Sequence, residues 1–409
     1  MYIGFARTDF TPSLPFPLAG HVTRKDRLAG WVRDPLTCGA LTFRKGRQRW
    51  ALVSIDLLIV DDDLYRAVEQ RLKGLGIDGF YLNATHSHSS LGGYVSNRGG
   101  HLFMGRFSTE RREQVVAAIE NSVKEAQSSE SLLTGMRRGT AQVPGITMNR
   151  RYKGGLTDDR VFAMELTRKK GRPVLVYSVS GHPVIASSFD QYAASGDVPG
   201  ECTRTLDSEG FASLFVSGPQ GGLNMLFPEM TTSLEAHLSA VSRLALSGIR
   251  EAVAQAAPVE KPDVGFGIRF LDFPLILPPT ITKPASWAPW SFVTAGIGYT
   301  YSRFLAPGGV RAPATVLKLG DVALVGMPAD FGVTAARSLR DHLQADHGLL
   351  SIVSSHTNGY AGYTHLPEEH DWTPNAIKGF FLYENAMAWH GRDVAKRLNS
   401  AALDITSAL

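Results

Sequence analysis

The chain has 409 residues, 44% of them hydrophobic and 20% charged, which excludes a disordered chain, a coiled coil and a collagen-like repeat. Forty-two Lys and Arg against 38 Asp and Glu give a formal charge of +4. The charges form no polybasic block or acidic tail, so neither nucleic acid nor an anionic membrane surface is an expected partner. Cys38 and Cys202 are the only cysteines, which excludes a disulfide framework and a CxxC metal site.

Arg7, Asp9, Lys25 and several prolines interrupt the first thirty residues, so the sequence offers no secretory leader and the cytoplasm is the expected location. No apolar run approaches the ~20 residues of a membrane span. Along the chain, Trp50 to Leu58 reads as a buried strand, Asp61 to Leu75 as a helix with an acidic start, and Phe80 to Ala84 as a second strand. A helix follows over Thr109 to Gln127, then strands over Val161 to Leu166 and Pro173 to Ser180. Amphipathic patterns recur over Thr232 to Gln255, Gly332 to Gln344 and Asn375 to Leu398. Ala314 to Leu319 and Val322 to Gly326 flank a Gly320-Asp321 turn, and Leu350 to Ser355 is a further apolar run. The expected class is α/β, with mixed sheets flanked by helices. The Pro- and aromatic-rich stretch 256–313 reads as long irregular structure, either a linker between domains or, as Trp287, Trp290 and Phe304 favour, a packed excursion forming a pocket wall.

No GxSxG elbow, phosphate-binding GxxxxGK[ST] loop, GxGxxG fingerprint or HExxH helix occurs. Histidines and an acid instead stand just after apolar runs, where α/β sheets collect their functional loops. Phe80 to Ala84 leads into Thr85-His86-Ser87-His88, Pro173 to Ser180 into Gly181-His182-Pro183, and Val322 to Gly326 into Met327-Pro328-Ala329-Asp330. Leu350 to Ser355 leads into His356-Thr357-Asn358-Gly359-Tyr360-Ala361-Gly362-Tyr363. Imidazole nitrogen suits zinc, but a tight site needs at least three protein ligands, so the HxH pair is insufficient by itself. His21, His101, His356, His365 and His370 are further candidates for lining a pocket, and nothing in the sequence selects among them. Structural alternatives accompany three other residues. Asp330 could cap the helix after it, Arg150 could pair with Asp158 or Asp159, and Asp197 could form a turn or orient a ligand histidine.

Asn83 to Ser89 with Gly92-Gly93-Tyr94 resembles the ATHTHSGPGGY loop of the neutral ceramidases, zinc amidases that release a fatty acid from sphingosine. Met148-Asn149-Arg150, Gly181-His182-Pro183, Ser195-Gly196-Asp197 with Gly200, Val325 to Phe331 and Asn358 to Glu369 are similar to further elements of that family. They occur in the same order, from Gly4 to about Tyr383. The resemblance implies one ceramidase-like catalytic domain over 1–409, with Zn2+ held by His86, His182, Asp330 and Tyr363 in loops at strand ends. It further implies that His88 and Arg150 contact the substrate oxygen, with Tyr363 assisting as a proton donor.

Three departures bear on the substrate. Asp330 stands where the family has Glu, Asn224 falls where it has a serine, and Leu409 ends the chain where the family continues into a β-sandwich. The expectation is therefore a zinc-dependent hydrolase of an amide, ester or lactone other than long-chain ceramide, acting on a small-molecule or lipid-like substrate. The alternative is a catalytically silent metal-containing module that binds a lipid or small molecule. Oligomeric state is not legible in the sequence.

Overall fold

The computed structural model describes residues 1–21, 27–96, 100–225, 233–276, 308–370 and 383–409. Two sheets carry the apolar runs. The larger has nine strands and begins with Ala212–Phe215, Val174–Ser178, Arg160–Arg168 and Ser131–Gln142. It continues through Tyr2–Asp9, Thr37–Lys45, Gln48–Ile55 and Gly79–Ala84, while Ala257–Pro258 pairs with Ser131–Gln142 off this path. Its two ends are parallel pairs, Trp50 opposite Gly79 and Val174 opposite Ala212, and the strands between them are antiparallel. The second sheet orders Val264–Phe273, Val310–Leu319, Val322–Gly326 and Leu350–Ser354, the last pair being parallel.

Side chains two apart on a strand point to the same face. Leu41 and Phe43 of the first sheet therefore meet Leu317, Leu324 and Ile352 of the second in one shared core. Ala40, one residue before Leu41, and its cross-strand neighbours Val53 and Leu82 face the opposite way, against the helices Asp62–Gly74 and Thr109–Ser128. Helices Val333–His347 and Val394–Ser407 cover the outer face of the second sheet. Asp197–Ser208 and Leu234–Ala254 cover the far end of the first. The result is a helix–sheet–sheet–helix stack, the mixed α/β architecture expected from the sequence. Asp61 caps the Leu64 amide and Ser233 caps the Ala236 amide, fixing two helix starts.

Part of 256–313 departs from the irregular excursion expected. Val264–Phe273 and Val310–Leu319 form a ten-residue antiparallel ladder, with Val264 opposite Leu319 and Phe273 opposite Val310. Gly265 and Gly267 remove side chains from the alternation, and Val264–Phe273 lies at the sheet edge, so its pattern is weak. The stretch from Trp287 to Phe304 lies outside the described residues. So does the first part of Asn375 to Leu398, whose pattern resolves into a short helix, Tyr383–Ala386, and the separate helix Val394–Ser407. Among the described residues, no helix is long and apolar enough to cross a membrane.

Candidate metal centre

The carboxyl ends of four strands bring the groups of the centre together. Gly79–Ala84 delivers His86, Val174–Ser178 delivers His182, and the parallel pair Val322–Gly326 and Leu350–Ser354 delivers Asp330 and His356. Asn83 fastens the loops: its amide donates to the Ser355 carbonyl at 2.8 Å, to Thr357 Oγ1 at 3.1 Å and to Ser217 Oγ at 2.9 Å. The Ala84 amide donates to the His356 carbonyl, and the His356 amide to the Ala329 carbonyl. Asp330 pairs in parallel with Tyr363. His86 and His356 hold φ values of 66° and 52°, the left-handed region that non-glycine residues enter at a cost and that clusters at functional sites.

Asp330 Oδ1 is the focus of the arrangement. It lies 3.1 Å from His182 Nε2, 3.2 Å from His356 Nε2 and 3.8 Å from His86 Nε2. Asp330, His182 and His356 are each 0% exposed and His86 is 3% exposed. A carbonyl oxygen can only accept, so the contact of His86 Nδ1 with the Leu58 carbonyl at 2.7 Å makes Nδ1 the protonated nitrogen. His182 Nδ1 does the same to the Leu223 carbonyl at 2.9 Å. Burial, followed for His86 by the neighbouring His356 and for His182 by Arg150, pulls both imidazoles below their ordinary pKa. Neutral rings protonated on Nδ1 present Nε2 lone pairs, so two lone pairs face a carboxylate oxygen. Burial pushes the Asp330 carboxyl up, but its contacts with the surrounding imidazoles of His356, His86 and His182 outweigh it and hold the group well below the usual carboxylate range.

Asp330 Oδ1 receives no hydrogen bond from the described residues. Buried acceptors facing acceptors are costly unless a cation lies between them. The three separations from Asp330 Oδ1, 3.1, 3.2 and 3.8 Å, bracket the ~3.4 Å edge of a tetrahedron with bonds of ~2.1 Å, the zinc–nitrogen and zinc–oxygen length. The donor set therefore fits a divalent ion. Asp330 Oδ2 is engaged separately, accepting from the Tyr360 hydroxyl at 2.9 Å. The helix after Asp330 has Gly332 at its N-cap and no side-chain cap, which removes the capping alternative for Asp330.

Arg150 stands beside this cluster. Its Nη2 donates to the Tyr363 hydroxyl at 2.9 Å and lies 3.4 Å from His182 Nε2, while Nη1 donates to Asn224 Oδ1 at 3.0 Å and Nε to Glu384 Oε1 at 3.0 Å. The Tyr363 hydroxyl is 3.2 Å from His182 Nε2. His88 Nε2 lies 3.3 Å from His86 Nε2, and burial, then the neighbouring His182, lowers its pKa. His88, Arg150, Asn224 and Tyr360 are the partly exposed members of a centre whose other groups are buried. The acid of Arg150 is Glu384, in place of the Asp158 or Asp159 considered from sequence. Asp158 instead pairs with Arg340 at 2.7 Å. Asp197 accepts from the Ala186 and Val198 amides, fixing the backbone just beyond His182 without touching a histidine ring.

Among the remaining histidines, His356 joins the centre and His21 lies edge-on to His88 at 5.4 Å. The His365 ring is 6.4 Å from that of Tyr363, and His370 sits 6.2 Å beyond His365. His101 is exposed on a short helix. His356 follows an apolar run as His86 and His182 do, but the sequence did not single it out from His21, His101, His365 and His370. Glu384 was invisible too, since its partner is 234 residues away.

No protein-family pattern matches the chain, and no curated protein matches it. Its structure is similar to the crystal structure of neutral ceramidase from Pseudomonas aeruginosa, with a TM-score of 0.80 and 17% identity over 100% of this chain and 74% of that one. It is equally similar to a ceramidase complexed with C2, at a TM-score of 0.80 and 17% identity over 100% and 75% of the two chains. Across its whole length, this chain has a neutral ceramidase-like fold.

Proposed function

We propose that the chain is a metal-dependent hydrolase that cleaves an amide, ester or lactone carbonyl. One observation carries the reading: buried imidazole lone pairs and a buried carboxylate oxygen converge on one point beside a guanidinium. His86, His182 and Asp330 would hold the ion, and the imidazole-rich donor set suits zinc. A bound zinc ion supplies Lewis acidity to a carbonyl oxygen and acidifies water.

The protein's own groups account for the rest. Arg150 is anchored on Glu384 and Asn224, so its fork is oriented before substrate arrives and can stabilise the negative charge that grows on a carbonyl oxygen. The Tyr363 hydroxyl accepts from Arg150, leaving its own proton to donate toward a leaving group. His88 stands on the partly exposed side and orients the substrate. Asn224 accepts from Arg150 through Oδ1, so its NH2 remains a donor for a polar substrate group, and the residue supplies no nucleophile.

The described rim of the centre, His88, Arg150, Asn224 and the phenol of Tyr360, is rich in polar groups. That favours a polar or short-acyl substrate over a long-chain lipid, for which each buried methylene is worth about 0.8 kcal/mol only where an apolar groove receives it. The test is kcat/KM on matched short- and long-acyl amides, esters and lactones. Turnover highest on a short-acyl member is expected. A long-chain ceramide preferred by orders of magnitude refutes the substrate assignment, and no hydrolysis of any member refutes the reaction.

A further inference from the structure

A cleft of about 460 Å³ opens beside the helix Val333–His347, and none of the groups around Asp330 lines it. Residues three and four apart share a helix face, so Arg337, Arg340, Asp341 and Gln344 line the cleft from one side while Leu339 and Leu343 pack into the core. Arg160 and Ser351 line it from the strands Arg160–Arg168 and Leu350–Ser354. Val353, two residues after Ser351, shares a core with Leu339 and Leu343. The Ser351 side chain therefore faces the same helix.

The charges of this cleft are unevenly satisfied. Asp158 accepts from Arg340 and Ser180, and the Asp159 carboxylate accepts from the Gly145 and Thr147 amides. Asp341 is exposed, so solvent and salt screen it. On the cationic side, Arg160 uses only Nη2, which donates to the Ser351 carbonyl. Neither Arg160 nor Arg337 has a carboxylate within ion-pair distance among the described residues. Burial, then the neighbouring Arg340, pulls the Arg160 guanidinium down to about 10, and Asp158 and Asp341 offset only part of this. Ser351 is 2% exposed, yet its Oγ makes no hydrogen bond to the described residues. A buried hydroxyl without a partner and a desolvated cation without a counter-charge are both costly, and one anion in the cleft relieves both.

We propose that this cleft binds a small molecule through a phosphate group, with Arg160 and Arg337 as the cationic anchors and the Ser351 hydroxyl as a further donor. A guanidinium presents its N–H groups as a planar fork that matches the oxygens of phosphate. Two unpaired guanidiniums balance a dianion, which favours phosphate over a single carboxylate. The volume falls within the ~300–1,000 Å³ of small-ligand clefts and leaves room for more than the phosphate group. Arg340 remains with Asp158, and the site is independent of the metal centre.

The test is isothermal titration at about pH 8, above the second phosphate pKa of ~6, so that the probes are dianions. The probes are inorganic phosphate and glycerol 3-phosphate, with acetate as the monoanion. Saturable binding of either phosphate probe at one equivalent per chain is expected, with acetate weaker than both. The size of the cleft predicts that the ester binds more tightly than inorganic phosphate, and the reverse order overturns the assignment to a phosphorylated molecule. Arg337→Ala should weaken binding by ~10–100-fold, the worth of one charge-assisted contact, and Arg160→Gln at least as much. Arg337 is exposed and unpaired, so its truncation disturbs no packing and its result decides if Arg160→Gln does not fold. His86→Ala, which disables the metal centre, should bind both probes as the wild type does. No saturable binding, a preference for acetate, or binding unchanged in Arg337→Ala overturns the proposal. Binding lost in His86→Ala overturns it too, by placing the anion at the metal centre.

Discussion

Asp158 and Asp330 are both buried carboxylates, reached from opposite sides of the loop that carries His182, and they are treated in opposite ways. Asp158 is surrounded by donors: Arg340 grips it with Nη1 at 2.7 Å and Nη2 at 3.0 Å, and Ser180 Oγ donates at 2.7 Å. Asp330 Oδ1 is surrounded by imidazole nitrogens and receives no hydrogen bond from the described residues. A satisfied buried charge fixes a structure, whereas converging lone pairs suit a cation. Burial alone would not separate the two sites. The direction in which the neighbouring protons point does.

The largest expected effect breaks the second site. His86→Ala and His182→Ala should each abolish zinc retention while the far-UV circular dichroism stays that of the wild type, because the strands that carry them are packed independently of the loop side chain. Stoichiometric zinc in either purified variant would remove that residue from the centre and erase its contrast with Asp158.

Breaking the first site should do the reverse. Arg340→Met leaves the Asp158 charge buried without its partner, which costs about 3–5 kcal/mol of stability, with zinc content unchanged. Burial raises the Asp158 carboxyl but Arg340 more than offsets it, so its folded pKa is depressed. Its contribution is therefore full above the unfolded value of ~3.9 and drains away as the pH falls below it. Urea unfolding at neutral pH and near pH 3 should show the gap between wild type and variant narrowing in acid. A constant gap would mean that Asp158 is not the group through which Arg340 stabilises the fold.

Two smaller effects sharpen the role of the guanidinium beside Asp330's centre. Arg150→Ala should lower kcat by ~10²–10³ without releasing zinc, the loss typical of one donor to an oxyanion. Wild-type turnover would make Arg150 structural. Glu384→Gln keeps the shape and weakens the anchor of Arg150, so a fall of ~10-fold in kcat with little change in KM is expected from a misplaced fork. If KM alone moves, Glu384 contacts substrate and does not position Arg150.

Much of this contrast was legible before the structure. His86, His182 and Asp330 each follow an apolar run, and runs of that kind end at one edge of a sheet, so their convergence was readable from local pattern. His356 follows such a run as well, but a lone histidine among five carried no distinguishing neighbour. Arg150 was legible as a residue and illegible as a pair: Glu384 is brought to it by the tertiary fold, while the nearer Asp158 is taken by Arg340. Val264–Phe273 was missed because two glycines and an edge position dilute its alternation, and the separation of Tyr383–Ala386 from Val394–Ser407 was missed because both fit one helical period.

The central claim is that the lone pairs around Asp330 hold an ion on which carbonyl hydrolysis depends. Its most direct test is turnover of the best amide or ester substrate before chelation, after chelation and after stoichiometric zinc is returned. The account predicts that activity disappears with the metal and returns with one equivalent per chain. Turnover indifferent to the chelator, with the metal shown to be gone, would contradict it.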